Sequence, residues 1–436
     1  MQEVKKLLKN IIKKCIPKTV KEELVFRKEI NTYRKSLKKI ESQEKSNNLK
    51  IVFILQFPET WNSLKTVYES AKKMGLNPLI VCVPKPKSTS TLIYETSEDG
   101  VNEAYEMLKK ENVNAINTKL EEGNWFNLRE YNPDYVFYTR PYNTQYPDEY
   151  KSNAVCQYAK ICYIPYGVTL NGGMIFNSVF KANFLLQTYV TFAQSKNLLK
   201  KIKNAYRWQY LLKYNKLEYL GFPRFDLLMK EHSYSKNLSK QNFTITWMPR
   251  WEFNTTIKGQ KCSHFLVYYH EFIKFVKEHQ ELNFIIRPHP LMFKTLIEEK
   301  LKTQEEVEAI KREIESIDHL RIDTQKDYLP TLQKTDILIA DNTSLLIEFF
   351  ATGKPIILSD NAKGYLEDGK IMVSSLYQVE VWKDVESKLN DLINGNDDLY
   401  EKRRKAMEKI IPKQSTAGEN IINYIMKDYK DRGTNG

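Results

Sequence analysis

The sequence predicts an α/β protein of two doubly wound sheets, and three observations predict it. Short apolar runs recur along the chain, several of them ended by proline or aspartate, as buried parallel strands are. Amphipathic stretches of helical period separate them, giving a strand–helix–strand rhythm. A polar stretch without periodicity, SYSKNLSKQN (233–242), divides one such series from another.

The first series begins after ESQEKSNNL (41–49). KIVFILQF (50–57) reads as a strand stopped by Pro58, and TWNSLKTVYESAKKMG (60–75) as a helix with Gly75 at its C-terminal cap. NPLIVCV (77–83), DYVFYTR (134–140), KICYIP (160–165) and TYVTFAQS (188–195) are the further strands, with a helical stretch near 100–112. The second series comprises FTITWMP (243–249), the helix FLVYYHEFIKFVKEH (265–279), NFIIRPHP (283–290), DILIAD (336–341), a helix from Thr343, and PIILSD (355–360). A last helical stretch, from about 380 to 427, has the length to pack back across both halves. The expected division is a basic segment over 1–49, a first Rossmann-like domain over 50–235 and a second over 243–427. Two such domains facing a cleft form the GT-B arrangement of nucleotide-dependent transferases, an analogy of fold alone.

Of the net charge of +13, residues 1–40 hold +9, from 13 Lys+Arg against 4 Asp+Glu. Val4, Leu7, Leu8, Ile11, Ile12 and Cys15 recur at helical spacing with Lys5, Lys6, Lys9, Lys13 and Lys14 between them, predicting a basic amphipathic helix. Such a helix can lie on an anionic membrane, each lysine near the surface contributing about 1 kcal/mol; the alternative is packing on its own protein. The body carries only +4, with no zinc finger and no RNP-like aromatic motif, so nucleic acid is not an expected partner. No apolar run reaches a membrane span, and no secretory signal is evident. Five scattered cysteines suit a reducing compartment, so the expected location is cytoplasmic. Fifteen glycines in 436 residues argue against several glycine-rich phosphate loops. HExxH, CxxC, GxxxxGK[ST] and GxSxG are absent, which speaks against zinc and nucleophilic-serine chemistry and leaves no metal ligands to propose. His232, His264, His270, His279 and His319 read as structural.

Three constellations remain. In NFIIRPHP, two prolines end a strand and present Arg287 and His289 at its C-terminal end, where open α/β sheets bind ligands. A guanidinium and an imidazole there suit a phosphate; a turn with a surface arginine is the alternative. In DILIADNTSLLIEFF, a strand ending at Asp341 leads into Asn342, Thr343 and Ser344 at a helix start, which is either an anion site or an ordinary cap. Glu348 follows, either orienting a diol or lying on the surface. At the join, GFPRFDLL (221–228) precedes TWMPRWEFN (246–254). Arg224 and Asp226 either pair or face the cleft, Arg250 is placed to meet a phosphate, and Trp251 either stacks on a base or packs in the core.

In this order, GFPRFD, the strand ending in Pro249-Arg250, RPHP, DNTSLLIEF and GKPII resemble the CDP-glycerol glycerophosphotransferase family of teichoic acid and capsule enzymes, over roughly residues 130–360. The resemblance implies a GT-B fold with CDP-glycerol or CDP-ribitol on the second domain. Arg287 and His289 would hold the donor pyrophosphate with Thr343 and Ser344, and Gly221, Arg224, Arg250, Asp341, Asn342 and Glu348 would complete the donor site. An acceptor hydroxyl, lipid-linked or on a glycan, would attack the β-phosphorus and release CMP, without a cofactor, at the inner membrane face. Many relatives carry His-Gly where this chain has Tyr166-Gly167 within CYIPYGVTLNGG (162–173), so Tyr166 stands in the expected place of the acceptor-side base. The competing readings are a nucleotide-sugar glycosyltransferase of the same fold and a non-catalytic scaffold of a surface-polysaccharide complex.

Overall fold

The computed structural model describes residues 27–44, 46, 48–88, 93–96, 102–119, 125–180, 183–205, 214–229, 243–253, 263–359, 364–411 and 416–432. The expected helix through Val4–Cys15 and the linker 233–242 lie outside them.

Seven strands form the first sheet: β1 (Ile51–Leu55), β2 (Leu79–Cys82), β3 (Ala115–Asn117), β4 (Tyr135–Tyr138), β5 (Lys160–Tyr163), β6 (Val190–Phe192) and β7 (Lys216–Glu218). Six form the second: β8 (Thr244–Met248), β9 (Asn283–Ile286), β10 (Leu320–Ile322), β11 (Ile337–Ala340), β12 (Ile356–Leu358) and β13 (Tyr377–Gln378). Their orders are β3-β2-β1-β4-β5-β6-β7 and β10-β9-β8-β11-β12-β13, parallel throughout. Each order reverses once, between β1 and β4 and between β8 and β11. At such a point, two successive crossovers leave in opposite directions and open a crevice above the strand ends.

The central strands are aliphatic on both faces because helices cover both. Along β8 and β11 the two-residue period divides the side chains: Met248, Leu338 and Ala340 enter a core shared with the first sheet. Ile245, Trp247, Ile337 and Ile339 enter a second core under the helix Phe265–Glu278. The chain then returns. Ile421, Ile422 and Ile425 of the helix Ala417–Asp431 are fully buried in the first core, beside the helix Lys65–Lys73, although the sequence places them in the second domain. Gly418 makes this approach close, since a Cβ there would lie 2.4 Å from the carbonyl oxygen of Thr66. The same helix is anchored through Asp428, which accepts from Tyr135 (2.6 Å), Tyr189 (2.5 Å), Lys160 (2.9 Å) and Lys216 (2.6 Å). Burial would raise this carboxyl, but those charges and hydroxyls outweigh it and hold it well below the usual range.

Further contacts tie the halves. Asn171 and Tyr365 form an antiparallel bridge, and Asp368 accepts from Ser195 and from Asn197 (2.7 Å). Glu103 pairs with Lys85 (2.7 Å) on its own half and with Lys326 on the other.

Candidate active site

The reversal between β8 and β11 builds the donor-side candidate. Register sets it: Trp247 pairs with Ile286 and Met248 with Ala340, so the three strands end level. The backbone continues the alignment past the strands, with Arg287 N–H donating to Trp247 (2.8 Å) and His289 N–H to Pro249 (3.1 Å). Arg250, His289 and residues 341–344 therefore lie together past the ends of β8, β9 and β11.

Their individual states differ from expectation. The Nδ1 of His289 accepts from the N–H of Leu291 (3.2 Å), which leaves Nε2 to carry the ring proton. The ring tilts beneath Trp251, 5.9 Å between centroids. Desolvation there, with the charge of Arg250, pushes the imidazole down to about 4. His289 is thus a neutral donor at pH 7. Arg287 is turned to Asp323 (2.5 Å) and the carbonyl of Gln325 (2.7 Å), which occupies two of its five N–H bonds. Burial would raise Asp323, but Thr331, the Gln325 N–H and Arg287 hold its carboxyl lower.

Asp341 is buried and points away from the crevice. Its carboxylate accepts from the N–H of Arg250 (2.9 Å) and contacts Nδ1 of His264 (2.7 Å), so it shapes the rim from below. Arg250 pairs with Glu252. The helix expected from Thr343 begins only at Leu346 and runs five residues, too short for a useful dipole. What remains favourable to an anion is the turn. The N–H groups of Asn342, Thr343 and Ser344 have no hydrogen-bond partner among the described residues, and Ser344 is exposed.

Three residues expected on the donor are elsewhere. Glu348 is wholly buried and paired with Arg224 (2.6 Å). Arg224 also donates to Ser63 Oγ (3.0 Å) and the carbonyl of Glu59 (2.7 Å). One guanidinium thereby joins the first half to the second, and no face of it meets the cleft. Gly221 (φ +98°) abuts Ala417, where a Cβ would come within 2.9 Å of that residue's own. Asp226 caps the last helix, accepting from the N–H groups of Ala417 (3.0 Å) and Gly418 (2.8 Å). The GFPRFD motif is a structural join.

The other reversal lies between β1 and β4 in the first half. Arg140 follows β4 with its guanidinium 4.1 Å from the ring centre of Phe57, 5.3 Å from Tyr142 and 5.2 Å from Tyr166. Tyr166 is half-buried after β5 and hydrogen-bonded to Tyr142. Arg140 was not singled out in sequence, although a strand end marked it as clearly as Arg287. Among the described residues no three His, Cys, Asp or Glu side chains gather as a metal-ligand set.

No curated protein matches the chain by sequence. Among solved structures, the wall teichoic acid polymerase TagF aligns with TM-score 0.55 at 14% identity, over 94% of this chain and 96% of that one. The UDP-GlcNAc 2-epimerase of Neisseria meningitidis aligns with TM-score 0.57 at 13% identity, over 87% and 100%. A UDP-N-acetylglucosamine 2-epimerase from Listeria monocytogenes, described as putative, gives 0.55 at 11%, over 88% and 97%. These likenesses establish a GT-B-like fold. The profile of the CDP-glycerol:poly(glycerophosphate) glycerophosphotransferases matches residues 181–427, and the chain belongs to that family.

Proposed function

We propose that this glycerophosphotransferase carries its CDP-polyol donor in the crevice between β8 and β11, and that the single observation supporting this best is the convergence of His289, Arg250 and the free N–H groups of 342–344 there. The diphosphate would take the Nε2–H of neutral His289, the turn N–H groups and Ser344. Arg287, held by Asp323, would lend its charge and its remaining donors.

The reaction forms one bond and breaks one. An acceptor hydroxyl oxygen bonds to the β-phosphorus while the bond from that phosphorus to the bridging oxygen breaks, and CMP departs with the electron pair. The hydroxyl proton leaves to solvent or to a neighbouring base. Positioning the hydroxyl in line with the bridging oxygen and stabilising the departing CMP carry the step. Tyr166 fits the role of orienting that hydroxyl. No cofactor enters this scheme. Glycerol phosphate and ribitol phosphate both remain in the reading, as do lipid-linked and glycan acceptors for teichoic-acid-like or capsule polymers.

The test is nucleotide release from CDP-glycerol, CDP-ribitol and UDP-sugars with membranes as acceptor. CMP from a CDP-polyol, lost in His289→Ala, is expected; UDP release alone would sink the reading in favour of glycosyl transfer, and no turnover with any donor would favour a scaffold.

The basic segment suits docking on the inner face of an anionic membrane. No described helix is long and apolar enough to cross one. A deletion to test docking must stop at residue 26, because Ile30, Tyr33, Leu37 and Ile40 of the helix Arg27–Ser42 are buried. Removing 1–26 should abolish sedimentation with phosphatidylglycerol vesicles, and unchanged sedimentation would refute the membrane role.

A further inference from the structure

A groove of about 390 Å³ opens on the first half, and the reaction described above assigns it nothing. One wall comes from the stretch 141–153 and the other from the turn Asn183–Gln187, with Tyr142 and Phe184 giving it apolar surface. Glu29 also lines it, and Glu29 belongs to the first turn of the helix Arg27–Ser42. That helix is fixed in place. Ile30, Tyr33, Leu37 and Ile40 are buried, the Tyr33 hydroxyl donates to the carbonyl of Tyr214 (2.9 Å), and the helix packs beside Asn183–Gln187. Residues 1–26 therefore join the first half at the edge of the groove.

The segment and the groove suit each other in size and charge. The stripe Val4, Leu7, Leu8, Ile11, Ile12 and Cys15 needs an apolar partner, bilayer or protein. A cavity of roughly 150 Å³ takes a benzene-sized group, so the groove has room for two or three of the stripe's side chains. Residues 1–18 hold six lysines against one glutamate. Facing them are Glu29 and, on the stretch 141–153, exposed Asp148 and Glu149. Glu29 and Glu149 have no ion-pair partner among the described residues, and Lys151 of the lining is paired with Asp148 (2.5 Å). Cys15 and Arg27 lie twelve positions apart, a span of up to about 40 Å. A tether of that length holds the stripe at an effective concentration in the millimolar range. A contact of two or three side chains suffices at that concentration. It also yields to a bilayer, which takes the whole stripe and attracts the lysines.

We propose that this groove is the docking site of the chain's own residues 4–15 when no membrane is present, and that an anionic bilayer draws them out. The inference rests on the membrane role given above to the basic segment. One stripe cannot occupy groove and bilayer at once, so membrane binding and release from the groove are a single coupled equilibrium. Docked, the segment lies against Tyr142, which is hydrogen-bonded to Tyr166, and release uncovers that side of the molecule.

Disulfide trapping in the full-length protein tests it. The native Cys15 is the probe, because Cys82, Cys156 and Cys162 are buried and Cys262→Ser removes the fifth thiol. With Asn183→Cys on the exposed rim, mild oxidation should link Cys15 to the introduced thiol within one chain, as read by peptide mapping. Phosphatidylglycerol vesicles should slow the link at least tenfold, and phosphatidylcholine vesicles should not. Lys109→Cys, exposed on the same half but outside the groove, should link at least tenfold more slowly than Asn183→Cys. By the same coupling, Asn153→Trp, which fills the rim, should raise affinity for phosphatidylglycerol vesicles threefold or more. Equal rates at positions 109 and 183, a link indifferent to phosphatidylglycerol, a link only between two chains, or unchanged vesicle affinity in Asn153→Trp would each overturn the proposal. A protein that forms the link but never binds vesicles would defeat the membrane role and leave the docking site standing.

Discussion

Glu348→Ala separates what the motif suggests from what the structure shows. If Glu348 holds the donor, its loss should weaken nucleotide binding and leave folding alone. In the structure it is wholly buried, 2.6 Å from Arg224 and hydrogen-bonded to Tyr328 (2.5 Å). Removing one partner of a buried pair costs about 3–5 kcal/mol. The Tyr328 hydroxyl left without its acceptor adds roughly 1–3 kcal/mol. Arg224 keeps its bonds to Ser63 and Glu59, which pulls the sum down, and about 4 kcal/mol is expected. That is close to a thousandfold in the folded-to-unfolded ratio. Urea denaturation followed by tryptophan fluorescence should show the loss, while CDP affinity from calorimetry stays within twofold. Adding Arg224→Met should restore part of the stability, since a coupled pair typically returns about 0.5–3 kcal/mol. An unchanged urea midpoint with a tenfold weaker CDP complex would refute the assignment and return Glu348 to the donor.

Three further outcomes are expected. His289 charges only near pH 4 in the fold but near 6.5 as an unfolded histidine, so the unfolded state binds more protons between those values and stability falls as pH drops through them; His289→Gln should flatten that slope in urea midpoints taken from pH 7 to 4, and an unaltered slope would contradict it. Asp428 is held below its ordinary range, so its contribution is present above about pH 4 and lost as the acid limb is descended. Asp428→Asn should cost about 3 kcal/mol at pH 7, because Lys160 is 3% exposed, and should leave a weaker dependence on pH below 4. Gly418→Ala places a Cβ against backbone of Thr66, which cannot swing aside as a side chain would; a loss of about 1–3 kcal/mol in thermal unfolding is expected, and wild-type stability would mean the helix Ala417–Asp431 packs less closely.

The legible part of this fold is its interior. KIVFILQF, DYVFYTR, NFIIRPHP and DILIAD became β1, β4, β9 and β11, because a strand covered on both faces needs a continuous aliphatic run. The edges were not legible. β3, β7, β10 and β13 have two or three residues each and form where a neighbour offers free backbone groups, which leaves no pattern of their own.

The candidate site divides the same way. Arg250, Arg287 and His289 lie just past neighbouring strand ends because a strand followed by proline determines locally where the next residues emerge. Their chemistry was decided at a distance. His289 became neutral through Trp251 and Arg250, and Arg287 was claimed by Asp323, 36 residues on. Arg224 and Glu348, read as donor ligands, lie 124 residues apart and meet only because the halves fold together.

By itself, then, the sequence determined the class of fold and the family, since each is written in local periodicity and short motifs. Only the tertiary structure decided which charged groups face the cleft and which clasp the halves, since a charge takes its role from the partner and the solvent that packing leaves it. Arg140 and Arg224 differ in just this way. Arg224 found a buried carboxylate; Arg140 found aromatic rings and an amide.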